Sequence, residues 1–170
     1  MDWDQSRQTE YRWRKDSRSP RGFAAPDFTL STPAGEVVTL SDLQGRPVII
    51  NLWASWCGPC RAEMPALQRV HEAYQDQGLV ILAVNATYQD SQSAALAFVA
   101  EHGLTFPVLL DQDGQASELY ELRALPSTYF VRPDGIIEES SSVDPWLKPC
   151  SALAWIASYL ICSPPNSLNR

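Results

Sequence analysis

Two cysteines separated by two residues, Cys57 and Cys60, stand between the apolar run Val48-Ile49-Ile50-Asn51-Leu52-Trp53 and a helical pattern opening with Arg61-Ala62-Glu63-Met64. A strand that is apolar without alternation has both of its faces covered. The chain must therefore place a sheet between two layers and set both cysteines where a buried strand turns into a helix. The first N–H groups of a helix lack partners within it and the helix dipole is positive there, so an anion is stabilised. A thiolate is such an anion, and cysteine drops from a pKa near 8.5 to roughly 3.5–7.5 in such settings. Cys57 then lies at the exposed helix mouth, with Cys60 one turn along and close enough to close a small ring. Pro59 fits a first turn whose N–H groups are orphaned anyway. A structural zinc site would need a second Cys-x-x-Cys or suitably spaced histidines, and the sequence has neither. A redox pair is the reading that remains.

The rest of the pattern is α/β. Met64, Leu67, Val70 or His71, and Tyr74 form one buried helical stripe, with Pro65 expected to bend the helix and Gly78 to end it. A second apolar run over 79–84 completes a strand-helix-strand unit with parallel strands. Ahead of it, the short runs 28–30 and 37–40 read as a hairpin, followed by a turn or a single 3₁₀ turn at Ser41-Asp42-Leu43. Behind it come a helix capped by Asp90 or Ser91 and running through His102 to Gly103, a strand at 107–110 and a short helix at 116–122. The runs 125–131 and 136–138 flank Arg132-Pro133-Asp134-Gly135, a second hairpin. Ser140-Ser141-Ser142 reads as loop.

A chain of 170 residues holds one domain with a proper core, with length left over at both ends. Residues 1–24 are expected to be a polar, disordered lead-in, 25–162 the domain and 163–170 a tail. The first 22 residues carry six basic and four acidic side chains and no apolar h-region, so they do not read as a secretory signal or an anchor. There is no apolar run long enough to span a bilayer. An excess of 20 acidic over 13 basic residues argues against a nucleic-acid partner, since phosphate binding needs clustered Lys and Arg. Leu153, Ile156, Ala157 and Leu160 make a helical stripe expected to pack on the sheet, with a membrane-surface segment as the alternative. Cys150 and Cys162, about 18 Å apart along such a helix, are too distant to bridge and read as buried apolar thiols. His71 and His102 read as surface or helix residues.

Seven short segments occur in an order that resembles one family. They are Ala25-Pro26-Asp27-Phe28, Thr39-Leu40-Ser41-Asp42-Leu43, Asn51 through Arg61 around the cysteines, Glu63-Met64-Pro65, Phe106-Pro107-Val108, Leu125-Pro126-Ser127-Thr128 and Pro133-Asp134-Gly135. Over 25–139 the chain resembles the thioredoxin superfamily, and within it the TlpA/ResA-like thiol-disulfide oxidoreductases. The resemblance implies a thioredoxin-like fold: a central mixed β-sheet flanked by helices, with an N-terminal β-hairpin extension and a β-α insertion. It implies that Cys57 is the attacking thiolate and that Cys60 resolves the mixed disulfide. Gly58 and Pro59 would shape the turn, and Pro126 would be a cis proline facing the cysteines, leaving the Leu125 backbone to pair with a substrate strand. Trp56 is expected at the mouth and Trp53 in the core. The only redox group is the Cys57-Cys60 disulfide, with no metal or other cofactor. The implied partners are protein disulfides and an upstream thiol electron donor, acting on a monomer. Most relatives work outside the cytoplasm on a membrane anchor, often supporting cytochrome c maturation.

Two positions depart from the family pattern. Asn51 stands where thioredoxins often place a buried Asp that helps deprotonate the resolving cysteine, and an amide cannot accept that proton. Tyr88 stands where many relatives have an acid, with Asp90 two further on. The proton acceptor for Cys60 is then either water or Glu63, and Glu63 itself is either a proton carrier or a solvated helix residue. Two other functions would need residues at other positions. A peroxiredoxin needs a P-x-x-x-T-x-x-C frame, whereas Ile50 and Ala54 precede Cys57 at those positions. A copper-delivery protein of the superfamily needs Cys-x-x-x-Cys and a distal His, whereas the spacing here is one residue short and neither His lies near Pro126.

Overall fold

The computed structural model describes residues 21–141. The expectations for the lead-in up to residue 20, for Cys150 and Cys162, for the 153–160 stripe and for the tail lie outside these residues. In chain order the elements are β1 (Thr29–Ser31), β2 (Val37–Thr39), a 3₁₀ turn (Leu40–Leu43), β3 (Val48–Trp53), α1 (Gly58–Tyr74), a 3₁₀ turn (Gln75–Gln77), β4 (Val80–Asn85), a 3₁₀ turn (Thr87–Gln89), α2 (Gln92–Glu101), β5 (Val108–Leu110), α3 (Gln115–Leu119), β6 (Ser127–Val131) and β7 (Ile137–Ser141). The strands form a seven-stranded sheet in the order β2-β1-β5-β4-β3-β6-β7. β3 pairs parallel with β4 and antiparallel with β6, β4 pairs parallel with β5, and β1 joins β5 antiparallel through Ser31 and Leu110. This is the mixed sheet that the family resemblance implies.

The apolar runs are continuous because alternate residues enter two different cores. From β3, Ile49 and Trp53 pack with Met64, Leu67 and Val70 of α1 and Phe98 of α2. Val48, Ile50 and Leu52 enter the opposite core with Phe28, Tyr120 and Tyr129. Asn51 lies between Ile49 and Trp53 in the strand, so the two-residue period places it on the α1 face. The Tyr120 hydroxyl donates to the carbonyl of Pro26 at 2.9 Å, tying the segment before β1 to this second core.

α1 remains helical through Pro65, whose missing N–H leaves the Arg61 carbonyl without its usual helical donor, while the buried stripe holds both sides of the proline. The helix ends at Tyr74, and the 3₁₀ turn that follows closes on Gly78, whose φ of 102° suits glycine. One expectation is corrected. Ser140 and Ser141 belong to β7, opposite Tyr129 and Thr128, because ladder pairing outweighs the weak strand preference of serine. His71 lies on α1 within the buried stripe, with its ring edge-on to Phe106.

Candidate active site

The site is built at the end of β3. Trp53 leads into a short turn in which the Cys57 N–H donates to the Ala54 carbonyl at 3.2 Å, and α1 begins at once. Cys57 is the N-cap of that helix, and its sulfur accepts the backbone N–H of Cys60 at 3.2 Å. Cys57 and Cys60 are joined in a disulfide with their Cα atoms 5.3 Å apart. Gly58 and Pro59 occupy the first two helical positions, where a proline displaces no hydrogen bond. The expected exposed mouth differs in one respect. Cys57 is only 5 % exposed and Cys60 fully buried, so the open surface belongs to Trp56, at 61 %. Trp53 is fully buried, as expected.

β6 closes the site from the other side. The bond from Leu125 to Pro126 is cis, and Pro126 is buried immediately before β6. Since Ser127 pairs with Leu52, this proline stands at the cysteine end of the sheet, across from the end of β3. Leu125 is half-buried and packs against both cores.

Behind the disulfide lies a buried polar group. Glu63 sits three positions after Cys60, which places both on one face of α1, and it is 1 % exposed. The Asn51 side-chain amide donates to Glu63 Oε1 at 2.7 Å and to the Thr128 hydroxyl at 3.0 Å. The reading of Glu63 as a solvated helix residue is overturned: a carboxyl enters the core because a strand amide meets it there. Asn51 therefore serves Glu63 as a hydrogen-bond donor.

The loop after β4 supplies a part that the sequence did not reveal. The Asp90 carboxylate takes two donors on each oxygen. Oδ1 accepts the Ser55 hydroxyl at 2.6 Å and the Ser91 N–H at 2.8 Å. Oδ2 accepts the Ser55 N–H at 2.6 Å and the Asn85 side-chain amide at 2.8 Å. Burial pushes the pKa of Asp90 up, but the hydrogen bonds from Asn85, Ser55 and Ser91 outweigh it, so the group titrates below the ordinary carboxylate value. Tyr88 is half exposed, its ring resting against Gly114. Ser91, not Asp90, is the N-cap of α2. The spacing of Asp90 from Ser55, 35 positions, left no local signal of this arrangement.

A cavity of about 170 Å³ lies at the opposite end of β3 and β6, beside Val48 and Val131, and contains none of the site residues. Among the described residues no group of three or more His, Cys, Asp or Glu is placed to hold a metal ion.

Residues 22–140 match the AhpC/TSA family. The chain belongs to that family. Among its relatives is the thiol-disulfide oxidoreductase ResA of Oceanobacillus iheyensis, 43 % identical over 122 residues, which cover 69 % of this chain and 62 % of that protein. The chain thus spans less than two thirds of the length of that curated relative. Among solved structures, a protein described as a DsbE-type thiol:disulfide interchange protein from Chlorobium tepidum superposes with a TM-score of 0.75 at 31 % identity, covering 82 % of this chain and 97 % of its own. A secreted Mycobacterium tuberculosis disulfide oxidoreductase homologous to DsbE of E. coli gives a TM-score of 0.65 at 25 % identity, covering 77 % and 95 %. Within the AhpC/TSA family the chain is thus TlpA/ResA-like in sequence and thioredoxin-like in fold.

Proposed function

We propose that this protein is a thiol-disulfide oxidoreductase that reduces or exchanges disulfides in other proteins through Cys57 and Cys60. The observation that carries the reading is the Cys57–Cys60 disulfide at the start of α1, with the Cys57 sulfur accepting the Cys60 N–H. In the reduced enzyme the same N–H and the helix dipole favour the Cys57 thiolate. That thiolate attacks a substrate disulfide, forming a mixed disulfide and releasing one substrate sulfur as a thiolate, which takes a proton from solvent. Cys60 then gives up its proton and attacks the Cys57 sulfur, expelling the second substrate thiolate. Two electrons have passed to the substrate, and the enzyme is left with the Cys57–Cys60 disulfide seen here. An upstream dithiol donor restores the reduced form.

Glu63 is the proton acceptor for Cys60 in this reading, buried on the same face of α1 and held by Asn51. Trp56, exposed beside Cys57, and the Leu125-Pro126 segment form the substrate-contacting rim, with Gly58 and Pro59 shaping the turn between the sulfurs. The TlpA/ResA-like relationship and the secreted mycobacterial structure support work outside the cytoplasm, with protein disulfides such as that of oxidised apocytochrome c among the substrates. No described helix is long and apolar enough to cross a membrane. The test is reduction of insulin by the purified full chain with dithiothreitol as donor. The reading predicts turnover that Cys57→Ser abolishes, and turnover surviving in that variant would contradict it. Peroxide consumption distinguishes a peroxiredoxin: Ile50 and Ala54, both fully buried and without a hydroxyl, predict little.

A further inference from the structure

The chain just ahead of Cys57 is held from two sides. From the loop after β4, Asp90 takes both donors of Ser55, and the Gln89 carbonyl accepts the Trp56 indole N–H at 3.2 Å. From α1, Arg61 donates to the Ser55 carbonyl at 3.3 Å, its guanidinium 4.5 Å above the Phe98 ring centroid. Both backbone polar groups of Ser55 are therefore fixed. An ionised carboxylate offers about four acceptor positions, and Asp90 fills them with four donors drawn from the turn, β4 and its own loop.

We propose that Asp90 is a positioning residue for the thiol chemistry: by binding both donors of Ser55 it fixes the chain two residues before Cys57 and holds the Cys57 sulfur at the N-cap of α1. The inference rests on the reading of Cys57 as nucleophile and adds a residue that acts through Ser55. The stabilisation of an anion at a helix start falls off within the first turn, so the sulfur gains from it only while the preceding turn keeps its place. Asn at position 90 would turn an NH₂ group toward two of the four donors, and the latch would open.

The sign of the effect separates positioning from simple charge. The charged groups at this corner are Asp90, Arg61 on α1 and Glu63, buried on the same helix one turn beyond Cys60. If Asp90 acted only as a nearby negative charge, removing it would make the Cys57 thiolate easier to form. Positioning predicts the reverse. Ser55→Ala changes no charge and removes only the hydroxyl arm of the latch, so it isolates the geometric part.

The experiment follows the pH dependence of iodoacetamide alkylation at Cys57 in the reduced full chain, read by peptide mass spectrometry, beside the melting temperature. Asp90→Asn is expected to raise the alkylation midpoint by about one pH unit, about tenfold less thiolate at any pH below it. Ser55→Ala is expected to raise it by less. A midpoint that is unchanged or lowered in Asp90→Asn, even with a lower melting temperature, overturns the proposal. Should Asp90→Asn fail to fold, Ser55→Ala decides: a raised midpoint sustains the proposal and an unchanged one overturns it. Alkylation needs no substrate, so failure of the wild type to reduce insulin would count against the proposed activity without touching this result.

Discussion

Replacing Glu63 with glutamine separates its proton chemistry from its place in the core. The Asn51 amide donates to Glu63 Oε1 at 2.7 Å, and a glutamine carbonyl oxygen accepts that same bond. Shape and hydrogen bond are kept, so stability should change by less than about 1 kcal/mol. Glu63→Ala is different. It removes a hydrogen bond to a carboxyl and opens space around a side chain that is 1 % exposed, for a combined loss of about 2–4 kcal/mol. Catalysis should divide the other way. Neither variant touches Cys57, so attack on the substrate proceeds normally, whereas resolution by Cys60 loses its base and slows by about 10²–10⁴-fold. Quenched-flow mixing of the reduced enzyme with excess insulin, stopped with acid and read by mass spectrometry, counts mixed disulfide and enzyme disulfide over time. Glu63→Gln should accumulate the mixed disulfide while melting like the wild type. If it resolves the mixed disulfide at the wild-type rate, Glu63 is not the acceptor and the buried pair with Asn51 serves only the fold.

Gly114 adopts a φ of 77°, and a Cβ there would lie 3.3 Å from the Tyr88 ring, so Gly114→Ala should cost about 1–2 kcal/mol by chemical denaturation. Adding Tyr88→Ala should return only the steric part of that loss. His71 gives a pH signature: burial pushes its pKa below the ordinary 6.5, against a smaller upward pull from Glu72. The unfolded chain then takes up a proton that the folded one resists, so the histidine leaves stability intact above about pH 6.5 and lowers it as pH falls toward the folded pKa. Unfolding curves at pH 7.5 and 5.5 should show a smaller acid loss in His71→Phe than in the wild type, and equal losses would contradict this assignment.

The core of the fold was legible because its signals are local. Two six-residue apolar strands, a helical stripe and turn residues such as Arg132-Pro133-Asp134-Gly135 each declare an element within a short window. The cis proline was legible only through family resemblance, since nothing within Leu125-Pro126-Ser127 fixes the isomer. What escaped was set by partners distant in sequence. Glu63 looks like any charged helix residue until β3 brings Asn51, 12 positions away, and β6 brings Thr128 to that amide from 77 positions away. Asp90 reads as a helix cap until the turn before Cys57 folds against it. Ser140 and Ser141 read as loop until Tyr129 and Thr128 pair with them. In each case a polar residue follows a tertiary hydrogen bond or a strand pairing that its own neighbours do not encode.

If Cys57 attacks and Cys60 resolves, removing one sulfur at a time leaves different trapped species. Reduced Cys60→Ser, mixed with an oxidised protein substrate and analysed by non-reducing electrophoresis and peptide mass spectrometry, should accumulate a mixed disulfide joined through Cys57, whereas Cys57→Ser should form no comparable adduct. Adducts through Cys60 in Cys57→Ser at an equal rate, or none in Cys60→Ser, would contradict the assignment of the two sulfurs.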